Sequence, residues 1–213
     1  MSGSPSERAI RDALVAHLRA VAPRGRIVHE LVVGECRADI AVVEPERLIL
    51  FEIKSERDTL DRLDRQMKTF AALSHGAVAV LHERWFDRTP YNDGKPRMAF
   101  DGAHGGFDVW SFPAPDLAVY RYASAYRWDT PRPSIRQPRA FDFLNLMWRD
   151  EMAVEAGRHR ISCGPRANMA QMAEQMAYLM TGREIARAVC RQLRLRSFPE
   201  ADAPISESAE VAA

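Results

Sequence analysis

The stretch Arg37–Glu56, RADIAVVEPERLILFEIKSE, decides how this chain reads. Two apolar runs flank the four residues EPER, and each run carries charge where a strand would be buried. Asp39 interrupts the first run, and Glu52 and Lys54 sit in the second, which ends FEIK. A charge buried without partners is costly, so each of the three needs a reason. Taking EPER as a hairpin loop makes Val43 face Leu48. Counting back along both strands then brings Asp39 directly opposite Glu52. Residues so opposed hold their Cβ atoms about 5 Å apart on one sheet face. Glu52 and Lys54 differ by two, so Lys54 shares that face and is the diagonal neighbour of Asp39.

Energetics choose between the readings of this trio. Like charges directly opposite each other destabilise a sheet. The rest of that face is Ala41, Val43, Leu48 and Leu50, and the other face is Ile40, Val42, Ile49, Phe51 and Ile53. An ion triad on a wet face would be accompanied by alternating polar residues, and these strands have none. Two carboxylates in a partly dry site suit a hard divalent cation. Mg²⁺ takes one or two carboxylates together with waters and substrate phosphate oxygens. Lysine is also rare here: of 30 basic residues only Lys54, Lys68 and Lys95 are lysines. A lysine at position 54 therefore points to chemistry that a guanidinium cannot supply, a compact ammonium able to lose its proton beside an attacking water.

Working outward, Ile10, Leu14, Leu18 and Val21 recur at helical spacing after a Ser6 cap, and PRG at 23–25 ends that helix. RIVHELVV (26–33), RADIAVV (37–43) and LILFEIK (48–54) read as strands, with GE at 34–35 as a turn. SERDTLDRLDRQMKTFAAL (55–73) reads as a helix with the stripe Leu60, Leu63, Met67 and Phe70, capped by Ser55 or Asp58. GAVAVL (76–81) is an all-apolar strand of the kind buried on both faces. Residues 87–106 are rich in Gly, Pro, Asn and Asp and predict a long loop or hairpin, and FDVWSF (107–112) a further strand.

This order, with Asp39 on the second strand, a twelve-residue spacer and Glu52-Ile53-Lys54 on the third, resembles the PD-(D/E)XK nuclease superfamily. The resemblance covers roughly residues 7–82. It implies an α/β fold, a restriction-endonuclease-like αβββαβ core with a central mixed sheet, here followed by a C-terminal helical module. Gln66 with Phe70 looks like the Q-x₃-Y element of RecB-type members, with Phe in place of Tyr, and Ala38 stands where the superfamily pattern has Pro. RADIAVV…FEIKSERDTLDRL followed by LMWRDE is similar to an uncharacterised bacterial and phage group and to MmcB-like DNA-repair proteins. The resemblance implies that Asp39, Glu52 and the Ile53 carbonyl hold Mg²⁺ or Mn²⁺, that Lys54 positions or deprotonates the water, and that Gln66 orients it. Glu30, on the neighbouring strand, is a further candidate ligand. The implied activity is hydrolysis of DNA phosphodiester bonds, RNA not being excluded. The rival is a nucleic-acid-binding or assembly module that keeps the core without catalysis.

Composition sets the remaining expectations. The net charge is +1, but Arg121 to Arg139 holds five arginines against Asp129, and Arg158 to Arg196 holds eight against Glu174 and Glu184. Arg127, Arg132, Arg136 and Arg139, interleaved with Tyr126, Trp128 and three prolines, are candidates to track a phosphate backbone. Arg183, Arg187, Arg191 and Arg194 make one helix face, either phosphate-facing or solvated. We divide the chain into a core (1–128), a Pro/Arg-rich linker (129–140), a helical module (141–198) and a disordered acidic tail (199–213). The C-terminal helices are candidates for a homodimer or partner contact. There is no run of 18 apolar residues, so no membrane span is expected. Cys36, Cys163 and Cys190 form neither a disulfide framework nor a zinc site, and with no secretory signal at the start they fit a cytoplasmic protein.

Overall fold

Ile10, Leu14 and Leu18 form a stripe on α1 (Pro5–Val21) and are buried against one face of the sheet. The structure, a computed structural model, describes residues 5–87, 95–96, 106–114, 128–129, 137–164 and 166–205. After α1 come three antiparallel strands, β1 (Arg26–Val33), β2 (Cys36–Val43) and β3 (Leu48–Lys54). Helix α2 (Leu63–Leu73) then leads to β4 (Gly76–His82), which runs parallel to β3. The short β5 (Phe86–Asp87) and β6 (Lys95–Pro96) pair with each other, and β7 (Asp108–Phe112) runs parallel to β4. The five-stranded mixed sheet has the order β1-β2-β3-β4-β7, so the expected αβββαβ order is present.

The pleat of the hairpin divides the interior as its alternation requires. Ile40, Val42, Ile49, Phe51 and Ile53 join Val78, Val80, Trp110 and the α1 stripe on one face. Ala41, Val43, Leu48 and Leu50 join Leu63, Met67 and Phe70 of α2 on the other. That second face also carries α3 (Ala140–Leu144), α4 (Arg149–Arg158), α5 (Met169–Leu179) and α6 (Gly182–Leu195). The C-terminal helices therefore share one apolar core with the sheet. Thr181 caps α6 as its sequence suggests, accepting the Glu184 N–H while Glu184 accepts the Thr181 N–H at 2.7 Å. On α5 Met172 and Met176 are buried and Leu179 is exposed, and Met180 just beyond it is buried.

Three expectations change, and the structure decides between the two readings of the α6 arginines. Helix α2 starts at Leu63, not near Ser55. The Asp58 carboxylate accepts the Ser55 N–H and hydroxyl at 2.7 and 2.6 Å, a local turn that competes with helix, and Leu60 is buried ahead of α2. The acidic tail is docked through Ile205 rather than disordered from residue 199: the Asp202 N–H donates to the Ile27 carbonyl at 2.9 Å, and Ala201 bridges to Val28. The α6 arginines do not form a free phosphate-facing surface. Arg183 and Arg187 pair with Glu46 of the hairpin loop, Arg191 pairs with the buried Glu155, and Arg194 is itself buried. Trp128 packs on Trp110 and donates to the Ser111 carbonyl at 2.7 Å, so its ring is used in packing rather than offered for stacking.

Gly25, in the turn before β1, has a steric reason to be glycine. A Cβ there would meet Val42 Cγ1 at 2.5 Å and the Ala22 carbonyl at 3.1 Å. Gly25→Ala is expected to lower stability by about 1–3 kcal/mol, measured by urea unfolding. An unchanged midpoint would show that β1 and β2 yield freely at this corner.

Candidate active site

The hairpin keeps the expected register from Val43↔Leu48 through Ile40↔Phe51, then its backbone pairing stops one step before Asp39 and Glu52. Asp39 is also skipped on its other side, where pairing with β1 runs from His29↔Ile40 to Leu31↔Ala38. The residue facing it there, Glu30, has a φ of 56°, a left-handed conformation uncommon outside glycine. Two side-chain contacts replace the missing ladder. Asp39 Oδ2 accepts the Ile53 N–H at 2.7 Å, and the Asp39 carbonyl accepts from Arg11 Nη1 at 2.9 Å. Asp39 and Glu52 are thus neighbours in a cleft and not a ladder pair.

Glu52 and Lys54 are buried, at 3 % and 7 % exposure. Strand β3 lies between β2 and β4, so its side chains point into packed layers. Glu52 Oε1 accepts from Lys54 Nζ at 2.7 Å and from Gln66 Nε2 at 2.6 Å. Gln66 reaches it from the first turn of α2. Among the described residues, Glu52 Oε2 and Gln66 Oε1 are buried with no hydrogen-bond partner. A buried acceptor left unpaired costs about 1–3 kcal/mol, so a fold that keeps two together holds them for something else. The cleft, about 550 Å³, is lined by Asp39, Glu52, Ile53, Lys54 and Gln66, with Arg37, Arg62 and Arg65 among its other residues.

Electrostatics follow from burial and proximity. Burial and then the Glu52 charge push the Asp39 carboxyl up to about 7, against the Ile53 N–H, Arg11 and Lys54. Burial likewise raises Glu52, opposed by Lys54, Gln66 and Arg62. An acid whose folded pKa is raised keeps a proton that the unfolded chain has released. Its contribution to stability therefore falls as pH rises from about 4 to about 7 and is level above that. Asp39→Asn should escape this loss. Between pH 4 and pH 8 the variant is expected to gain about 1–4 kcal/mol relative to wild type, read from paired thermal melts without divalent ions. A constant difference across that range would contradict the assigned shift.

The other candidates separate. Glu30 is not in the cleft: it pairs with Arg37 at 2.6 Å and Arg11 at 3.4 Å and supports Asp39 only through Arg11. Arg127, Arg132 and Arg136 lie outside the described residues. Arg139 is exposed, its carbonyl accepts the Phe143 N–H at the start of α3, and it does not line the cleft. Arg11 escaped the sequence reading. It is 6 % exposed, bonds the Asp39 carbonyl and lies 3.8 Å from Asp39 Oδ1. Its signal was position: it shares the helical spacing of Leu14 and Leu18, where an arginine needs a buried acid.

Fold and cleft together define an α/β protein in which two acids, a lysine and a glutamine meet where a central hairpin loses its ladder. Residues 2–89 match the family model described as bacteriophage P4 protein cII, a stretch that is less than half of the chain and contains Arg11, Asp39, Glu52, Lys54 and Gln66. No curated protein and no solved structure matches the chain.

Proposed function

We propose that this chain is a divalent-metal-dependent nuclease of the PD-(D/E)XK type that hydrolyses DNA phosphodiester bonds, in phage-related DNA processing or DNA repair. One observation carries the reading. The buried Glu52 carboxylate holds Lys54 and Gln66 through one oxygen and leaves the other unpartnered in the cleft that Asp39 lines. The likeness to a phage protein family supports the phage-related setting.

The donor set fits Mg²⁺ or Mn²⁺. Among the described residues no cluster of three metal-ligating side chains forms, so two carboxylates, a backbone carbonyl and water would complete the shell, as a small hard cation accepts. Asp39, Glu52 and the Ile53 carbonyl would hold the ion. In a strand the N–H and C=O of one residue lie on the same side, so the Ile53 carbonyl faces the β2 side where its N–H meets Asp39. When bound, the metal supplies a water of lowered pKa and neutralises charge on the phosphate. Lys54 contributes a fixed positive charge beside the reacting phosphate and a proton donor or acceptor for the water. Gln66 holds Glu52 in place through Nε2 and offers Oε1 to orient the water. Arg11 is a positioning residue that fixes the Asp39 backbone.

The test is a cleavage panel of single-stranded, duplex, flap and branched DNA and RNA, with Mg²⁺, with Mn²⁺ and with a chelator, using wild type beside Lys54→Ala. The proposal expects metal-dependent cleavage of at least one DNA form by wild type alone. Absence of cleavage of every form, or equal cleavage by Lys54→Ala, would overturn it.

A further inference from the structure

The structure assigns Arg62 and Arg65 as the residues that hold the phosphodiester backbone of the strand to be cut. This rests on the nuclease reading and adds a named nucleic-acid contact to it. The cations lining the cleft differ in what already holds them. Lys54 is bonded to Glu52 at 2.7 Å, and Arg37 is paired with Glu30 at 2.6 Å. Arg62 and Arg65 line the same cleft and are exposed, and among the described residues neither guanidinium has a hydrogen-bond or ion-pair partner. Two acids flanking them are engaged elsewhere. Asp64 holds Lys68 at 2.7 Å, and Asp58 holds Ser55.

Their positions follow from the start of α2. Arg62 is its N-cap residue, Arg65 lies three residues on, and Gln66 follows. Residues three and four apart share a helix face, so Arg62, Arg65 and Gln66 point to one side. Gln66 touches Glu52 there, and the Arg62 charge also acts on Glu52. Two guanidinium groups with no partner among the described residues therefore line the cleft of the carboxylate that carries the proposed chemistry. Guanidinium groups bind phosphate oxygens through paired donors, and a strand passing the site presents phosphates in a row. The arginines of α6 cannot take this role, because Glu46 and Glu155 hold three of them and Arg194 is buried.

The experiment measures binding of a short fluorescent DNA, single-stranded and duplex, over a salt series with a chelator present. Wild type, Arg62→Gln/Arg65→Gln and Lys68→Gln are compared, each checked for folding by its thermal melt. Lys68 is an exposed cation of the same helix that does not line the cleft. The double arginine variant is expected to bind about tenfold or more weakly and to lose about two units of salt slope, one per phosphate contact. Lys68→Gln should bind as wild type does. Wild-type affinity and slope in the arginine variant would overturn this inference and leave the nuclease reading standing. An equal loss in Lys68→Gln would reduce it to a general effect of charge and overturn it as well. Absence of DNA binding by wild type would overturn this inference, while the nuclease reading is decided by the cleavage panel.

Discussion

Glu52→Gln is expected to reduce DNA cleavage by at least about a thousandfold while leaving the fold intact. The loss follows from removing a cleft-lining carboxylate whose second oxygen is buried with no partner among the described residues, and several kcal/mol of charge stabilisation go with it. The retained fold follows from geometry: a glutamine oxygen can still accept from Lys54 and Gln66 as Glu52 Oε1 does. Lys54→Ala should lower cleavage by about a hundredfold to a thousandfold, but its stability tells a different story. Glu52 would be left buried and unpaired by its cation, costing about 3 kcal/mol at pH 8. Burial raises the Glu52 pKa, so protonation relieves this cost in acid, and the deficit should shrink at pH 5. Single-turnover cleavage and denaturant unfolding at both pH values separate the two variants. Equal activity in wild type and Glu52→Gln would remove the carboxylate from the mechanism.

Arg26→Met should destabilise the protein by about 3–5 kcal/mol, the largest stability effect expected of a single substitution outside the cleft. Arg26 is 1 % exposed, and its guanidinium is saturated by main chain. Nη1 donates to the carbonyls of Leu193, Arg194 and Arg196 at 2.9, 2.9 and 2.7 Å. Nε and Nη2 both donate to the Asp202 carbonyl, at 3.0 and 2.8 Å. One side chain at the start of β1 thus closes the end of α6 and seats the segment that follows. The Asp202 carboxylate completes the tie by accepting the Ile27 N–H at 3.0 Å and pairing with Arg19 at 2.7 Å. Methionine keeps much of the volume but removes the guanidinium donors of four carbonyls, of which that of Arg194 still accepts the Ile205 N–H. Urea unfolding measures the loss, and hydrogen exchange should show early exchange at Asp202 and Ile205. A change below about 1 kcal/mol would mean that water satisfies these carbonyls.

What could be read from sequence was what local counting controls. The EPER loop length set the register of β2 on β3, and alternation assigned Leu48 and Leu50 to one core and Ile49 and Phe51 to the other. Lys54 and Glu52 share a face for the same reason. Readings failed where distant residues decide. The ladder is broken at Asp39 by the backbone of Glu30 and the side chain of Arg11, neither visible in the hairpin itself. Helix α2 starts late because the chain at Ser55 and Glu56 is held by Asp58, Trp85 and Arg84. The acidic tail has the composition of a disordered segment, yet Arg26 and the edge of β1 give its backbone partners. The arginine stripe of α6 was legible as a helix face. Its partners Glu46 and Glu155 lie too far along the chain for spacing to reveal.

The claim on which everything else depends is that Asp39 and Glu52 form a divalent-cation site. Titration calorimetry of Mn²⁺ into wild type and Glu52→Gln at pH 8, where the raised carboxyl of Asp39 is ionised, tests it without reference to any substrate. We expect saturable binding to wild type and its loss in Glu52→Gln. No binding to wild type, or the same binding to both proteins, would contradict the account.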